Sequence, residues 1–121
     1  MMARPAVARV SSIMLDCNDL EAMVDFWGAV LDIKEKNRFP GYVWMTRVSR
    51  GGPALAFQQV TSKKAAKNRL HLDLSTEDPE SLITRIEELG GKRLHDHNIA
   101  GFHWAVCVDP EGNEFCVTAT A

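Results

Sequence analysis

The sequence has little of what defines several common protein classes. It contains only three cysteines, Cys17, Cys107 and Cys116, without CxxC spacing. An odd number with this spacing argues against a disulfide framework and predicts a protein of the reducing cytoplasm. Charge is also nearly balanced, with a formal net charge of −2, so neither nucleic acid nor an anionic membrane is an expected partner. No apolar run has the length of a membrane span, and residues 1–9 lack a signal-peptide core.

The remaining composition is that of an ordinary globular protein. Hydrophobic residues make up 45% of the chain and charged residues 25%. A length of 121 residues predicts a single domain, residues 1–121, that is large enough to bury a core.

Residues 10–60 have the pattern of one strand, one helix and three strands. "VSSIMLD" predicts a strand, and "NDLEAMVDFWGAVL" places apolar residues at helical spacing. Asn18, followed by Glu21 three residues later, predicts a capping box at the helix start. "IKEKNR", "YVWMTRVS" and "ALAFQQV" are the three predicted strands that follow.

The same order returns in residues 69–120, after a polar linker at 61–68. "RLHLDLS" predicts a strand, and a helix with Pro79 at its first position follows. "KRLHDHNI", "HWAVCVD" and "EFCVTAT" predict three more strands, the last two joined by the turn "DPEGN". A shift of 59 residues places Ser12 on His71 and Asp19 on Asp78, and a shift of 58 places Gln58 on Cys116.

This repetition predicts an α+β fold of two tandem βαβββ units, since neither unit alone would bury its apolar face. An unrelated α+β sandwich whose helices match by chance is the alternative. The strand "NRLHLDLS" then decides the functional question. Leu70, Leu72 and Leu74 alternate with His71, Asp73 and Ser75, so one face is apolar and the other faces either water or a pocket.

Three segments carry a resemblance to a known family: "LDCNDLEAMVDFWGAVL", "NRLHLDLS" and "DPEGNEFCV". Together with the paired units, they resemble the vicinal oxygen chelate superfamily, which includes glyoxalase I, extradiol dioxygenases and bleomycin- and fosfomycin-resistance proteins. The resemblance runs from about Val10 to Thr118 and is strongest to small bacterial glyoxalase-like proteins. It implies a curved, mixed, mostly antiparallel sheet around a cavity, with the helices outside. It also implies a small-molecule ligand and a homodimer.

The resemblance further implies which strand residues face the cavity. His71 and Asp73 are the candidate catalytic residues, and the candidate substrate-binding residues are Trp44, Gln58, Trp104, Glu114 and Cys116. Tryptophans on opposite walls of a cleft suit an aromatic or planar ligand. Each residue also has a structural interpretation: His71 as a hydrogen-bonding group, Cys116 as a small buried hydrophobe, and the tryptophans as core.

Relatives that use a metal place their ligands at positions that correspond here to Ser12, Gln58, His71 and Cys116. Only His71 is a strong ligand as it stands, and the carboxylate expected on the last strand is missing. No cofactor is therefore expected, with a divalent metal as the less favoured alternative. The incomplete set also argues against glyoxalase I activity.

Three functions remain open on these residues. The first is a metal-independent isomerase or lyase acting on a small, planar or aromatic metabolite, with His71 as acid and base. The second is a non-catalytic protein that sequesters an antibiotic or aromatic metabolite, like the bleomycin-resistance proteins. The third is a metal-dependent lyase or dioxygenase. The sequence does not select the substrate.

Overall fold

The fold is described by a computed structural model that covers residues 10–66, 68 and 71–120. Leu70, predicted to lie on the apolar face of the fifth strand, is outside the described residues. Within the described part of the chain, neither helix is long and apolar enough to cross a bilayer.

The first unit is a four-stranded sheet with one helix. Its elements are β1 (Ser12–Cys17), α1 (Leu20–Leu31), β2 (Glu35–Phe39), β3 (Tyr42–Arg47) and β4 (Ala54–Gln59). The strands lie in the order β1-β4-β3-β2. β1 pairs parallel with β4, and the other two pairs are antiparallel.

The second unit repeats this arrangement. Its elements are β5 (Leu72–Thr76), α2 (Pro79–Glu88), β6 (Lys92–Ile99), β7 (Phe102–Val108) and β8 (Glu114–Ala119). The strand order β5-β8-β7-β6 and the parallel pairing of β5 with β8 match the first unit. The predicted α+β fold of two βαβββ units is therefore confirmed, with two separate four-stranded sheets that do not close on each other.

The helix starts show the repeat most directly. A carboxylate oxygen of Asp19 accepts a hydrogen bond from the Ala22 amide at 3.1 Å, and one of Asp78 accepts from Ser81 at 3.1 Å. Side-chain acceptors at this position satisfy amides that lack a partner in the first helical turn. The prediction that Asn18 caps α1 is therefore wrong: Asp19 is the cap, and the Asn18 side chain donates to the Val60 carbonyl instead.

The core lies between the helices and the apolar faces of the sheets, and it joins the two units. Phe26 and Trp27 of α1 contact Phe115 of β8, with ring centroids 6.2 and 4.9 Å away. All three rings are at most 2% exposed. Because a buried aromatic side chain removes a large apolar area from water, this contact gives the units one shared core.

A buried carboxylate fixes the junction between the units. Asp109 is 2% exposed, and its Oδ2 accepts a hydrogen bond from the Trp27 indole nitrogen at 3.2 Å. Its Oδ1 accepts from the amides of Glu111 and Asn113, both at 2.9 Å. These donors compensate for the cost of removing the carboxylate from water. The turn "DPEGN" is thus tied to α1 of the other unit.

Glu111, in the same turn, makes a second link to the first unit. Its carboxylate accepts hydrogen bonds from the backbone amides of Asn18 at 2.6 Å and Asp19 at 2.7 Å. These amides lie where α1 begins, so a carboxylate there is also favoured by the helix dipole. The turn therefore positions both the start and the aromatic residues of α1.

We expect Asp109→Ala to lower the free energy of unfolding at pH 7 by about 3 kcal/mol, because buried donors of both units lose their acceptor. Urea denaturation followed by circular dichroism measures the change. Glu88→Ala is the control, since Glu88 is exposed at the end of α2, and it should change stability by about 0.5 kcal/mol or less. Equal midpoints for the two variants would show that the junction does not depend on Asp109.

Candidate functional site

The polar face of the second sheet brings the predicted site residues of β5 and β8 together. Asp73 on β5 is paired directly with Cys116 on β8. His71 precedes Asp73 by two residues, so its side chain lies on the same face of the strand. Phe115 and Val117, which alternate with the polar residues on β8, are buried in the core. The alternation in the sequence therefore gives the correct division between core and polar face.

His71, Asp73 and Cys116 form a compact cluster. The Nδ1 atom of His71 lies 3.1 Å from Oδ1 of Asp73. One imidazole nitrogen, one carboxylate oxygen and the Cys116 sulfur all lie within 4.8 Å of one another. With Nδ1 donating to Asp73, the other ring nitrogen is left to accept or return a proton. The side chains of His71 and Asp73 are 43% and 69% exposed, so their pairing contributes little to stability.

The cluster lies in a cavity of about 720 Å³, which we call the second-unit pocket. Its polar lining combines the cluster with residues of three strands: His71, Asp73, His95, His97, Glu114, Cys116 and Thr118. Its apolar lining is Ile99, Phe102, Trp104, Val106 and Phe115. The volume is in the range of cavities that bind small molecules.

A row of aromatic rings crosses this pocket along the β6–β7 hairpin. His97 stacks on Trp104, with ring centroids 5.0 Å apart and planes at 20°. Phe102 lies 5.7 Å from Trp104, and His95 lies 4.6 Å from His97. Phe102 is 60% exposed, so the row presents flat, accessible surface. Such a surface is suited to a planar ligand.

A smaller cavity of about 390 Å³ lies where the two units and the linker meet. Its lining includes Asp16 of β1 and Lys64 of the linker, and it shares His71, Glu114 and Phe115 with the second-unit pocket. The Lys64 ammonium is 3.5 Å from the Glu114 carboxylate. Lys64 was missed by sequence reasoning, because a polar linker has no period that assigns its side chains to a face.

The two predicted site residues of the first unit lie elsewhere. Trp44 stacks on Tyr42, with centroids 5.9 Å apart, and the Gln58 amide donates to the Tyr42 hydroxyl at 3.2 Å. Neither residue lines either of the pockets described above. Trp44 and Trp104 therefore do not form opposite walls of one cleft within this chain, because each lies on its own sheet.

The residues do not assemble the metal site that the family resemblance implies. Ser12 and Gln58 belong to the first sheet, while His71 and Cys116 belong to the second. Asp73 joins His71 and Cys116 instead, and this nitrogen, oxygen and sulfur set would suit a soft or borderline ion such as Zn²⁺. A hard ion held by carboxylates from several strands does not fit these donors.

The other two thiols are chemically different from Cys116. Burial raises the pKa of Cys17 to about 11, with the nearby carboxylates of Glu111 and Asp16 adding to the effect. Burial also raises the pKa of Cys107 to about 11. All three cysteines are thiols rather than disulfides, and Cys116 alone is half-buried at the pocket surface.

The glyoxalase-like domain model matches residues 12–118, which is nearly the whole chain. The chain belongs to the glyoxalase-like domain family. This confirms the predicted resemblance to the vicinal oxygen chelate superfamily. No curated protein matches the chain.

Solved structures of glyoxalase-like proteins share the fold at low sequence identity. A glyoxalase/bleomycin resistance protein/dioxygenase family enzyme from Burkholderia phytofirmans PsJN has a TM-score of 0.74 and 17% identity, covering 94% of this chain and 100% of its own. Lactoylglutathione lyase from Agrobacterium tumefaciens has a TM-score of 0.66 and 22% identity, covering 95% of each chain.

A fosfomycin resistance protein gives a further match. FosX from Listeria monocytogenes, in complex with Mn(II) and 1S,2S-dihydroxypropylphosphonic acid, has a TM-score of 0.79 and 12% identity, covering 97% of this chain and 93% of its own. At these identities the three structures establish the fold alone.

We expect His71→Ala to change the free energy of unfolding by about 1 kcal/mol or less, a shift of a few degrees in thermal midpoint. The side chain is 43% exposed, so little packing is lost. Ile86→Ala, at a fully buried position of α2, is the comparison and should cost about 2–5 kcal/mol. Thermal unfolding followed by circular dichroism measures both. A midpoint for His71→Ala as low as that of Ile86→Ala would make His71 a structural residue.

Proposed function

We propose that the second-unit pocket binds a small planar or aromatic molecule and that His71 acts on it as general acid and base. The reaction is a metal-independent isomerase or lyase step. The observation that carries this proposal is the pairing of His71 with Asp73 at 3.1 Å, at the polar end of a pocket floored by aromatic rings. An oriented imidazole can remove a proton and return it near neutral pH.

The roles of the cluster follow from its hydrogen bonding. Asp73 accepts from Nδ1 of His71 and holds the ring in one orientation, so Asp73 positions the base. The second ring nitrogen takes a proton from carbon next to a ligand carbonyl. Returning that proton to a different atom gives an isomer, and delivering it to a leaving group gives a lyase product.

The charges of the lining favour a ligand without strong net charge. Asp73 and Glu114 are the carboxylates of the pocket, and the Glu114 carboxylate is already close to Lys64. The three histidines, His71, His95 and His97, offer polar contacts but no fixed positive charge at neutral pH. An anionic ligand would therefore meet repulsion from carboxylates, while a neutral carbonyl or hydroxyl compound would not.

A non-catalytic binding protein is the second candidate. It is favoured by the exposed row of Phe102, Trp104 and His97, which offers stacking surface whether or not a proton moves. Retention of an antibiotic or aromatic metabolite would need this surface and no acid–base residue. A metal-dependent lyase or dioxygenase is less favoured, because the ligand positions of the family lie on two separate sheets here.

The catalytic proposal is tested by deuterium exchange at the carbon next to the carbonyl of aryl ketones and aryl aldehydes, followed by NMR. We expect the wild-type protein to accelerate exchange of at least one compound, and His71→Ala to slow it at least about tenfold. Treatment with a chelator should leave the wild-type rate unchanged. Trp104→Ala should raise the half-saturating concentration, since it removes the stacking surface.

The matched control is His103→Ala. His103 lies on the same hairpin but contacts Asp96 and does not line the second-unit pocket. This variant should exchange at the wild-type rate. Compounds that bind in the pocket without any exchange would favour the binding protein over the enzyme.

We also propose that the chain is a cytoplasmic, single-domain protein that forms a homodimer. Apolar residues at the tips of both hairpins are exposed, with Phe39 at 58%, Ile99 at 65% and Phe102 at 60%. Strands β1, β2, β5 and β6 are sheet edges, which proteins commonly cover by association. Sedimentation equilibrium at micromolar concentration should give twice the chain mass of 13.5 kDa. A single species of the chain mass would contradict the dimer.

A further inference from the structure

Cys116 is placed for chemistry that the acid–base proposal does not use. It is half-buried at the surface of the second-unit pocket, whereas Cys17 and Cys107 are at most 2% exposed in the core. An electrophile in solution therefore reaches one thiol of the three. Burial also holds the pKa of both core thiols at about 11, so neither is a thiolate near neutral pH.

The neighbours of Cys116 are those of an activated nucleophile. Its sulfur lies within 4.8 Å of donor atoms of His71 and Asp73. Asp73 is bonded to Nδ1 of the imidazole at 3.1 Å, which leaves the second nitrogen as the base. A nucleophile beside a base that is oriented by a third group is the arrangement by which thiols and hydroxyls are activated in enzymes.

We propose that Cys116 is a nucleophile that adds to the carbon–carbon double bond of a conjugated carbonyl compound bound against Trp104. The inference rests on the proposed function, because it uses the same pocket and the same base. It adds the substrate class and a covalent intermediate.

The step balances without a co-reactant. His71 takes the proton of the Cys116 thiol, and the sulfur electron pair forms a bond to the β-carbon of the ligand. The π electrons of the double bond move towards the carbonyl oxygen as an enolate, and the imidazolium returns the proton to the α-carbon. The former double bond can then rotate, and reversal of the addition releases the thiol and the geometric isomer. Nothing is oxidised or reduced.

The shape of the pocket favours such a substrate. Conjugated carbonyl compounds are planar, and the stacked rings of His97 and Trp104 provide a flat surface within the cavity that also contains Cys116. The proposed ligand is also uncharged at its reacting end, in agreement with the carboxylates of Asp73 and Glu114 nearby.

N-phenylmaleimide, a planar conjugated carbonyl compound with an aromatic ring, tests the inference on the intact protein by mass spectrometry. We expect one adduct, mapped to Cys116, and none in Cys116→Ser. His71→Ala should slow the reaction at pH 7 at least about tenfold, since the thiol loses its base. Asp73→Asn is the second variant, and it should shift the pH at which the rate rises while keeping the site of addition.

Two matched comparisons separate activation from exposure. His103→Ala should react at the wild-type rate. Trp104→Ala should slow N-phenylmaleimide by about threefold to tenfold, the worth of one aromatic contact. It should leave N-ethylmaleimide, which lacks the ring, nearly unchanged.

The inference is overturned if the adduct lies on Cys17 or Cys107, if His71→Ala reacts as fast as wild type, or if Cys116 reacts only after a chelator removes a bound metal. Failure here is distinguishable from failure of the proposed function. If Cys116→Ser still catalyses deuterium exchange and the wild type forms no adduct, only the nucleophile is wrong. If the wild type neither exchanges nor forms an adduct, both assignments are wrong.

Discussion

The hydrogen bond between the Trp27 indole and the buried Asp109 carboxylate is the contact on which the arrangement of the two units depends. It places α1 of the first unit against β8 of the second, where Trp27 also packs on Phe115. A buried carboxylate tolerates few positions, because its oxygens need donors in fixed directions. The apolar faces of both sheets are consequently turned towards the helices and the shared core. The polar faces are left outside it, so chemistry is confined to them.

This arrangement separates the residues that stabilise the protein from those proposed to act on a ligand. Phe115 illustrates the division, since it is buried between aromatic rings while Glu114 and Cys116 on either side line the pocket. A strand with period two allows the core face to stay constant while the other face changes. Substitutions at the pocket should therefore change chemistry at small cost in stability, whereas substitutions at the junction affect both units.

Much of the fold was predictable from the sequence, because the pattern repeats at the level of caps and turns. Asp19 and Asp78, 59 residues apart, both cap helices. The strand register was less predictable. Ile13 pairs with Leu55, but Leu72, 59 residues after Ile13, pairs with Phe115, 60 residues after Leu55, so the predicted shift of 58 is wrong for the last strand. Periodicity also assigns side chains to a face but gives no angle between sheets, which is why Trp44 and Gln58 were expected in a pocket that they do not line.

The two units share a backbone plan but not a chemistry, and this asymmetry is itself informative. Trp44 and Trp104 are each the third residue of the second strand of a hairpin, and both contact an aromatic ring at the first residue of that strand. At the spacing that relates the helix caps, however, Ser12 and Met14 of the first unit correspond to His71 and Asp73 of the second. A repeat kept only for packing has no reason to place an imidazole, a carboxylate and a thiol within 4.8 Å on an exposed face. The aromatic surface is thus common to both units, and the reactive groups are specific to the second.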